Sequence, residues 1–422
     1  MANEHQRLPG TGITASPLAD SLAAVHGSFA PIAAFFNDSR WRGRLGQPGV
    51  CDFAFGNPQE MPLPGFVEAL RAKVAPRNKE WFAYKGNESF AREVVSSSLQ
   101  GSTGLPFEPE DIALTNGGFG AIQLMMKLLA NPGEEIIYSV PSWFCYAPMA
   151  HLHGLRPVPV PMRPSFTLDI DALLAAVTDR TRILVVNSPH NPSGSIATAE
   201  ELAELGERLE AINARRTRPV WVLSDEAYRE IVYSDGRFEP PLRHIRRSAI
   251  CYSYGKRLLT PGQRVGYFGV NPAAPERQAV RDSVFLAQMA TGWNFPSALM
   301  QYALPDLEKL VIDVEALERR RDRLCDGLES AGYTITRPKG AFYVLVQAIG
   351  DEAAFCERLS AADVFVMPGS LCGIPGHFRV SLTASDEMVG WALPRFAEVL
   401  AGTNVSPRRT RGRSDSQAEG LI

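Results

Sequence analysis

The sequence predicts an α/β fold: a large domain with a mostly parallel sheet covered by helices, and a smaller α/β domain. Between about 112 and 270, short β-branched runs alternate with helical patterns, which is typical of parallel strands joined by helical crossovers. The chain has 422 residues and is 45% hydrophobic, so it can bury a large core but is too long for a single compact one. We therefore expect two domains.

The runs in the alternating region have the composition of buried strands. They cover 112–115, 135–140, 157–161, 183–187, 220–224, 249–253 and 265–270. A long helical region follows Pro296, with Leu304-Pro305 as an expected interruption. Further strand-like runs, separated by helices, cover 340–346, 364–368 and 378–383. They indicate the smaller α/β domain.

The predicted organisation has five parts. They are a flexible N-terminal arm at 1–17, an N-terminal segment at 18–55 that belongs to the small domain, a large domain at 56–300, a small C-terminal domain at 301–402 and a disordered tail at 403–422.

Composition argues against several classes of protein. The net charge of -3 and the lack of a basic block outside 407–413 give no reason to expect a nucleic-acid partner. No apolar run reaches the roughly 18 residues of a spanning helix, so no membrane partner is expected. The six scattered cysteines are interpreted as reduced core thiols, and His151 and His153, on a possible strand, as structural residues. We expect a cytoplasmic protein without a metal site.

One segment combines three groups with complementary chemistry. In Ser253-Tyr-Gly-Lys256, followed by Arg264, an amine lies between a hydroxyl and a guanidinium. A lysine can condense with an aldehyde, while a hydroxyl and a forked cation can hold a phosphate. Ser-x-x-Lys also matches the serine nucleophile of penicillin-binding proteins, but the companion Ser-Asp-Asn and Lys-Thr-Gly motifs are missing. The lysine interpretation is therefore favoured.

Other predicted strands also end in polar or aromatic groups. In an open α/β sheet, ligands bind beyond the carboxyl ends of the strands, so these groups are compared together. The glycine-rich turn at 116–120 opens a helix, and Trp143 could stack on a planar ring. Asn191 lies in a turn fixed by prolines, and Asp225 precedes Tyr228 by three residues. Each signal alone also fits an ordinary turn or core position.

In order along the chain, Asn191-Pro-Ser-Gly, Asp225-x-x-Tyr228, Ser253-x-x-Lys256 and the later Arg264 resemble the class I/II aminotransferases. These are aspartate aminotransferase-like members of the fold-type I pyridoxal phosphate family, and the resemblance covers about residues 50 to 400. It implies pyridoxal 5'-phosphate as the cofactor and catalytic roles for Lys256, Asp225 and Tyr228. Lys256 would bind the cofactor aldehyde and move the substrate α-proton, and Asp225 would pair with the protonated ring nitrogen.

The resemblance also assigns the remaining positions. The implied cofactor-binding residues are Gly118, Phe119, Trp143, Asn191, Asp225, Tyr228, Ser253, Lys256 and Arg264, and the implied substrate-binding residues are Gly56, Asn191 and Arg379. Arg379 would hold the substrate α-carboxylate in a bidentate fork. The family also implies a homodimer with sites at the interface.

Three positions depart from the family pattern. Phe119 stands where relatives often have Thr or Ser, and Gly255 replaces a residue that is often serine. A tyrosine usually reaches the neighbouring subunit's phosphate, but Trp81 stands at that position and Tyr84 is a possible substitute. That contact is open at the level of sequence.

The expected reaction is amino transfer from an L-amino acid to a 2-oxo acid with ping-pong kinetics. The alternative is a lyase or replacement enzyme of the same fold that eliminates a β- or γ-substituent. No second arginine stands about thirty residues after Lys256, where one subgroup binds a distal carboxylate. Trp293, Phe295 and Phe36 could line an apolar pocket instead, which suggests neutral or aromatic substrates.

Overall fold

The structure is a computed structural model that describes residues 19–403. The expected arm at 1–17 and all of the tail at 403–422 except residue 403 lie outside the described residues. The strands are β1 (Cys51–Asp52), β2 (Ile112–Thr115), β3 (Glu135–Val140), β4 (Arg156–Pro161), β5 (Thr181–Asn187), β6 (Trp221–Asp225), β7 (Ser248–Ser253), β8 (Gly266–Val270), β9 (Ile335–Thr336), β10 (Tyr343–Gln347), β11 (Val364–Phe365), β12 (Met367–Pro368) and β13 (His377–Ser381).

Helices connect and cover these strands. They are α1 (Asp20–Asp38), α2 (Arg40–Arg44), α3 (Pro64–Val74), α4 (Ser89–Thr103), α5 (Gly117–Leu129), α6 (Tyr146–Leu152), α7 (Ile170–Ala175), α8 (Ala199–Asn213), α9 (Tyr254–Arg257), α10 (Arg277–Ala290), α11 (Ala298–Leu307), α12 (Val314–Ala331), α13 (Glu352–Ala361) and α14 (Asp386–Thr403). Within residues 19–403, no helix is both long enough and apolar enough to cross a membrane.

A seven-stranded sheet forms the centre of the larger part, in the order β2-β8-β7-β6-β5-β3-β4. Only β8 runs antiparallel to its neighbours, so the predicted mostly parallel sheet is confirmed. On β5, Ile183 and Val185 pack into one hydrophobic cluster, and Leu184 and Val186 pack into another. Alternate side chains of a strand point to opposite faces, so this sheet is buried on both sides by helices.

The smaller part contains a four-stranded antiparallel sheet in the order β12-β13-β10-β9. Its hydrophobic core draws on residues from Ile312 to Leu400 and also includes Cys51 and Phe53. Strand β1 pairs in parallel with β11, which ties the N-terminal segment to the small domain. Helix α1 instead packs on α6, at the edge of the larger sheet. The domain boundaries themselves stay a prediction.

Two local expectations are wrong. Leu304-Pro305 does not interrupt a helix, since α11 continues to Leu307. Pro305 has no N–H, so α11 lacks one intrahelical hydrogen bond at that position, but the chain continues in helical conformation beyond it. His151 lies in α6 rather than on a strand, and His153 caps that helix. Residues 19–403 contain no group of three or more His, Cys, Asp or Glu that could hold a metal ion.

Candidate active site

One cavity of about 700 Å³ brings the predicted site residues together. Those that line it are Gly56, Gly118, Phe119, Trp143, Asn191, Asp225, Tyr228, Ser253, Lys256, Arg264 and Arg379. These residues are far apart in the sequence and come from both domains. The fold therefore gathers all eleven residues that the resemblance assigns to the cofactor or the substrate.

The parallel strands explain how the central polar groups meet. Asn187, Asp225 and Ser253 are the last residues of β5, β6 and β7. Asn187 lies opposite Asp225 in the register of the sheet, and β6 and β7 are also neighbours. Because the carboxyl ends of adjacent parallel strands meet at one edge, three polar side chains enter the same cavity.

Asp225 is held by donors from two directions. The Tyr146 hydroxyl donates to Asp225 Oδ2 at 2.5 Å, and the Ala227 backbone N–H donates to Oδ1 at 3.3 Å. Burial raises the pKa of Asp225, while these two hydrogen bonds and the charge of Lys256 lower it. A buried carboxylate of this kind is stabilised by a cationic ligand.

Sequence reasoning missed Asn187 and Tyr146. The Asn187 side chain donates to the Asp225 carbonyl at 3.0 Å and accepts from the Asn191 N–H at 2.9 Å, so it fixes the turn that carries Asn191. Asn187 could have been predicted, because it is a polar residue at the end of a buried strand. No sequence pattern indicates Tyr146, because it belongs to a helix far from Asp225 in the sequence.

Lys256 lies in the short helix α9, directly after β7. Its Nζ is 5.5 Å from the ring centroid of Phe342 and 5.7 Å from that of Tyr228. The neighbouring Arg257 holds the helix in place, since its guanidinium donates to the carbonyls of Glu308 at 2.6 Å and Leu310 at 2.5 Å. The amine is thus placed in the cavity on an anchored element.

The turn before α5 forms an anion-binding cradle. Gly117 has φ of 73°, and a Cβ there would lie 2.7 Å from Arg264 Nη2. Glycine therefore allows the arginine to approach the start of α5, where free N–H groups and the helix dipole favour negative charge. Arg264 also donates to the carbonyls of Pro261 at 2.7 Å and Asn116 at 3.2 Å, and burial lowers its pKa. Because carbonyl groups carry no net charge, these hydrogen bonds do not neutralise the positive charge of Arg264.

The structure gives a reason for one departure from the family pattern. A Cβ on Gly255 would lie 2.9 Å from the Pro261 Cα, so a serine there would require the backbone to move. Phe119 places its ring edge-on to Trp143, with centroids 4.6 Å apart. The hydroxyl that relatives often have is thus replaced by an aromatic contact within the cavity.

At another part of the cavity, Arg379 is buried and has no acidic partner among residues 19–403. Its Nη1 donates to Asn191 Oδ1 at 3.0 Å and its Nη2 to the Ala54 carbonyl at 3.0 Å. Its Nε has no hydrogen-bond partner among the described residues, and its guanidinium lies 4.0 Å over the Tyr343 ring. An unneutralised buried guanidinium is complementary to a carboxylate ligand.

Gly56 and Tyr343 lie close to each other beside this arginine. A Cβ on Gly56 would lie 2.5 Å from the Tyr343 hydroxyl, so only glycine fits without movement. The Tyr343 and Tyr228 hydroxyls are 3.4 Å apart. Tyr343 is a second cavity residue that the motifs did not reveal.

Aromatic rings from the N-terminal segment form part of the cavity lining. We call Phe29, Phe36, Trp41 and Phe55 the aromatic wall. Phe36 was predicted to line an apolar pocket, and it does. Trp293 and Phe295 were predicted with it, but within this chain they line a separate surface pocket beside Tyr84. Both residues follow α10. Trp293 is partly exposed, and Phe295 is buried with its ring 5.4 Å from that of Trp293.

Neither candidate for the intersubunit contact lines the cavity of its own chain. Trp81 is buried, stacks on Tyr302 with centroids 3.8 Å apart and donates to the Lys73 carbonyl at 2.9 Å. Tyr84 is 89% exposed and packs only loosely beside Trp293, at 4.9 Å between centroids. Trp81 is therefore held by contacts within its own chain, whereas the side chain of Tyr84 is exposed.

Fold and site together define an α/β enzyme with an anion cradle, a lysine, a buried carboxylate and a buried guanidinium in one cavity. Residues 48–396 match the family model described as aminotransferase class I and II. The chain belongs to that family, and it is a pyridoxal phosphate-dependent aminotransferase. The predicted family, fold class, enzyme type and cofactor are confirmed.

Named relatives agree with this placement. The chain is 30% identical over 354 residues to the aspartate/prephenate aminotransferase of Thermus thermophilus, covering 81% of this chain and 89% of the relative. An amino transferase from Eubacterium rectale superposes with a TM-score of 0.85 at 27% identity, covering 92% of this chain and 100% of that one. An aromatic aminotransferase from Pyrococcus horikoshii superposes at 0.75 with 26% identity, covering 84% and 96%.

The residues present fit pyridoxal 5'-phosphate. The cradle of Gly118, Ser253 and Arg264 at the start of α5 provides donors and positive charge for a phosphate. Asp225 supplies a buried negative charge for a protonated ring nitrogen. Burial raises the pKa of Asp225, and the positive charge of that nitrogen would counter this effect. Lys256 supplies an amine in the same cavity for the aldehyde.

Proposed function

We propose that this cavity transfers the amino group of an L-amino acid to a 2-oxo acid by a ping-pong cycle, with Lys256 as the proton-moving residue. One observation carries the proposal: a single cavity contains an anion cradle, the amine of Lys256 and the buried guanidinium of Arg379, which has no acidic partner among residues 19–403. These three groups match the phosphate of the cofactor, its reactive carbon and the substrate α-carboxylate.

Each polar residue has a proposed task. The cofactor, when bound, supplies an electron-withdrawing ring that stabilises the negative charge left on the α-carbon. Asp225 would hold a positive charge on the ring nitrogen, and Lys256 Nζ would take the substrate α-proton and hold it for return. Ser253 and Arg264, with the backbone at Gly118 and Phe119, would hold the phosphate, and Trp143 would stack on the ring.

Asn191 connects the two halves of the proposed site. Its Oδ1 accepts from Arg379 Nη1 at 3.0 Å, which leaves its amide N–H groups to donate to the cofactor oxygen together with the Tyr228 hydroxyl. Arg379 orients the substrate carboxylate, and Gly56 leaves room for it. Substrate binding and cofactor orientation are thereby linked through one side chain.

For the substrate we propose a neutral amino acid with a large, preferably aromatic, side chain. Support comes from the aromatic wall and from Phe119, Ile122 and Phe144, which make most of the remaining cavity lining apolar. One solved relative carries the name aromatic aminotransferase. Others are named for aspartate and prephenate, so acidic substrates belong in any test panel.

We also propose a homodimer in which Tyr84 reaches the partner's phosphate. Support comes from an exposed apolar patch on one side of the chain. We call it the α10 patch, and it consists of Phe82, Tyr84, Phe285, Leu286, Met289 and Trp293. Exposed apolar area of this kind is typical of an interface.

A cytoplasmic location is proposed as well. Its support is chemical: all six cysteines are free thiols, and five of them are buried. Reduced thiols are typical of proteins kept in a reducing compartment.

The test is a half-reaction on the purified holoenzyme. Single amino acids are added without a 2-oxo acid, and the cofactor spectrum, the 2-oxo acid and ammonia are followed. Amino transfer predicts one equivalent of 2-oxo acid per site, no ammonia and reversal on addition of a second 2-oxo acid. Continuous release of ammonia or a thiol, with no lasting change in the cofactor, would instead assign the eliminating lyase and refute the proposal.

A further inference from the structure

The aromatic wall is attached to the rest of the site by one buried carboxylate, Asp52. Trp41, at the centre of the wall, is buried and packs its ring 5.1 Å from that of Phe55 and 5.6 Å from that of Phe36. Its indole N–H is directed away from these rings and donates to Asp52 Oδ1 at 3.1 Å. The tryptophan is thus fixed by a directional bond as well as by packing.

The same carboxylate oxygen accepts a second hydrogen bond, from the Ala54 backbone N–H at 3.1 Å. Asp52 is only 6% exposed and belongs to β1, which pairs with β11. A carboxylate buried at a strand edge costs free energy unless it is hydrogen-bonded. Two donors on one oxygen offset part of that cost and fix the chain from Asp52 to Ala54.

Ala54 carries the connection on to the carboxylate-binding arginine. Its carbonyl accepts from Arg379 Nη2 at 3.0 Å. A continuous path of three hydrogen bonds therefore runs from the Trp41 indole through Asp52 and Ala54 to Arg379. The aromatic wall and Arg379 would contact opposite ends of an amino acid, and the same hydrogen-bond path holds both in place.

We infer that Asp52 is a positioning residue for side-chain specificity: it holds Trp41 at a fixed place relative to Arg379, so that a carboxylate ligand carrying an aromatic ring fits both. Asp52 does not line the cavity, so it acts through Trp41 and Ala54. The inference rests on the proposed function in taking Arg379 as the site of the ligand carboxylate and in taking an aromatic side chain as the preferred one.

The test measures binding without amino transfer. Calorimetry on the holoenzyme gives the dissociation constants of 3-phenylpropionate and propionate, which share a carboxylate and differ by a ring. The wild-type protein is expected to favour the aromatic acid by roughly tenfold or more, as a well-formed apolar pocket does. Asp52→Ala should reduce that ratio roughly tenfold, and Asp52→Asn, which retains an oxygen acceptor, should preserve it.

Two further variants separate positioning from general damage. Trp41→Phe keeps an aromatic ring but removes the indole donor, so it should lower the ratio of the two dissociation constants as Asp52→Ala does. If Asp52→Ala does not fold, Trp41→Phe provides the test of the inference. Arg44→Gln is the matched control, because it breaks the other anchor of α2, a paired contact with Asp363 at 2.8 and 2.9 Å, outside the cavity.

The inference is overturned if the wild-type ratio is near one, if Trp41→Phe and Asp52→Ala leave it unchanged, or if Arg44→Gln lowers it equally. None of these results depends on catalysis. An enzyme that binds 3-phenylpropionate as expected but transfers no amino group would leave Asp52 in this role and refute the proposed reaction alone.

Discussion

At the scale of single residues, Asp225 depends on a partner that no motif contains. Tyr146 donates to it at 2.5 Å from a different part of the chain. The aspartate itself follows from the Asp-x-x-Tyr pattern at the end of a strand. Its partner could not be predicted, because a contact between a helix and a distant strand is decided by packing and not by local spacing.

Tyr146→Phe should make the enzyme more sensitive to acid. The Tyr146 hydrogen bond lowers the pKa of Asp225 against the effect of burial, so its loss lets that pKa rise further. The acidic limb of the kcat/KM profile should move to higher pH by on the order of one unit, since a hydrogen bond to a charged group contributes about 1.5–3 kcal/mol.

Tyr138→Phe is the matched control for this change. Tyr138 is a buried neighbour whose ring centroid lies 5.8 Å from that of Tyr146. Its substitution should leave the profile in place. Superimposable profiles for Tyr146→Phe and the wild-type enzyme would show that the hydrogen bond has no effect on Asp225.

At the scale of elements, the buried strands were predicted closely and the caps and breaks less well. The run predicted at 249–253 corresponds to Ser248–Ser253, a fully buried strand that contains the strand-favouring residues Ile250 and Tyr252. Pro305 was misread, because a proline removes one hydrogen bond from a helix without always ending it. Trp41 of the aromatic wall was not predicted, because it lies on the short helix α2, which has too few residues for a periodic pattern.

The turn after β5 predicts how stability varies with pH. Burial lowers the pKa of His190 from 6.5 to about 4, and its Nδ1 lies 2.7 Å from Ser193 Oγ. Between these two pH values the unfolded chain binds a proton that the folded chain excludes, so stability falls as the pH drops. The pKa gap corresponds to about 3 kcal/mol at most.

His190→Asn should remove part of this dependence, because the amide can hydrogen-bond Ser193 without titrating. The midpoint of urea unfolding, measured across this pH range, reports the change. His377→Asn, at a half-buried position, is the control. An unchanged slope in the His190 variant would mean that other groups cause the loss of stability in acid.

At the scale of the whole molecule, the α/β class and the mostly parallel sheet followed from the alternation of strands and helices. The gathering of distant residues into one cavity followed from the rule that parallel strands end at a common edge. The position of Trp293 and Phe295 did not follow, because composition does not tell which of two pockets an aromatic residue lines.

Leu286→Glu should weaken the proposed dimer. Leu286 is 66% exposed within the α10 patch, and a charge there would have to lose water on association. Light scattering should give twice the chain mass for the wild-type protein and a lower mass for the variant, with activity falling in parallel. Leu152→Glu, at an exposed position on α6, is the control. A dimer of unchanged affinity would place the interface elsewhere.

The most direct measurement of the central claim locates the lysine that binds the cofactor. The holoenzyme is reduced with borohydride, digested and analysed by mass spectrometry, alongside Lys256→Ala treated in the same way. The account predicts that the cofactor is attached to Lys256 in the wild-type chain, and that the variant loses both this attachment and its amino-transfer activity. Attachment to a different lysine, or retention of the covalent cofactor by Lys256→Ala, would contradict the assignment on which the proposed mechanism depends.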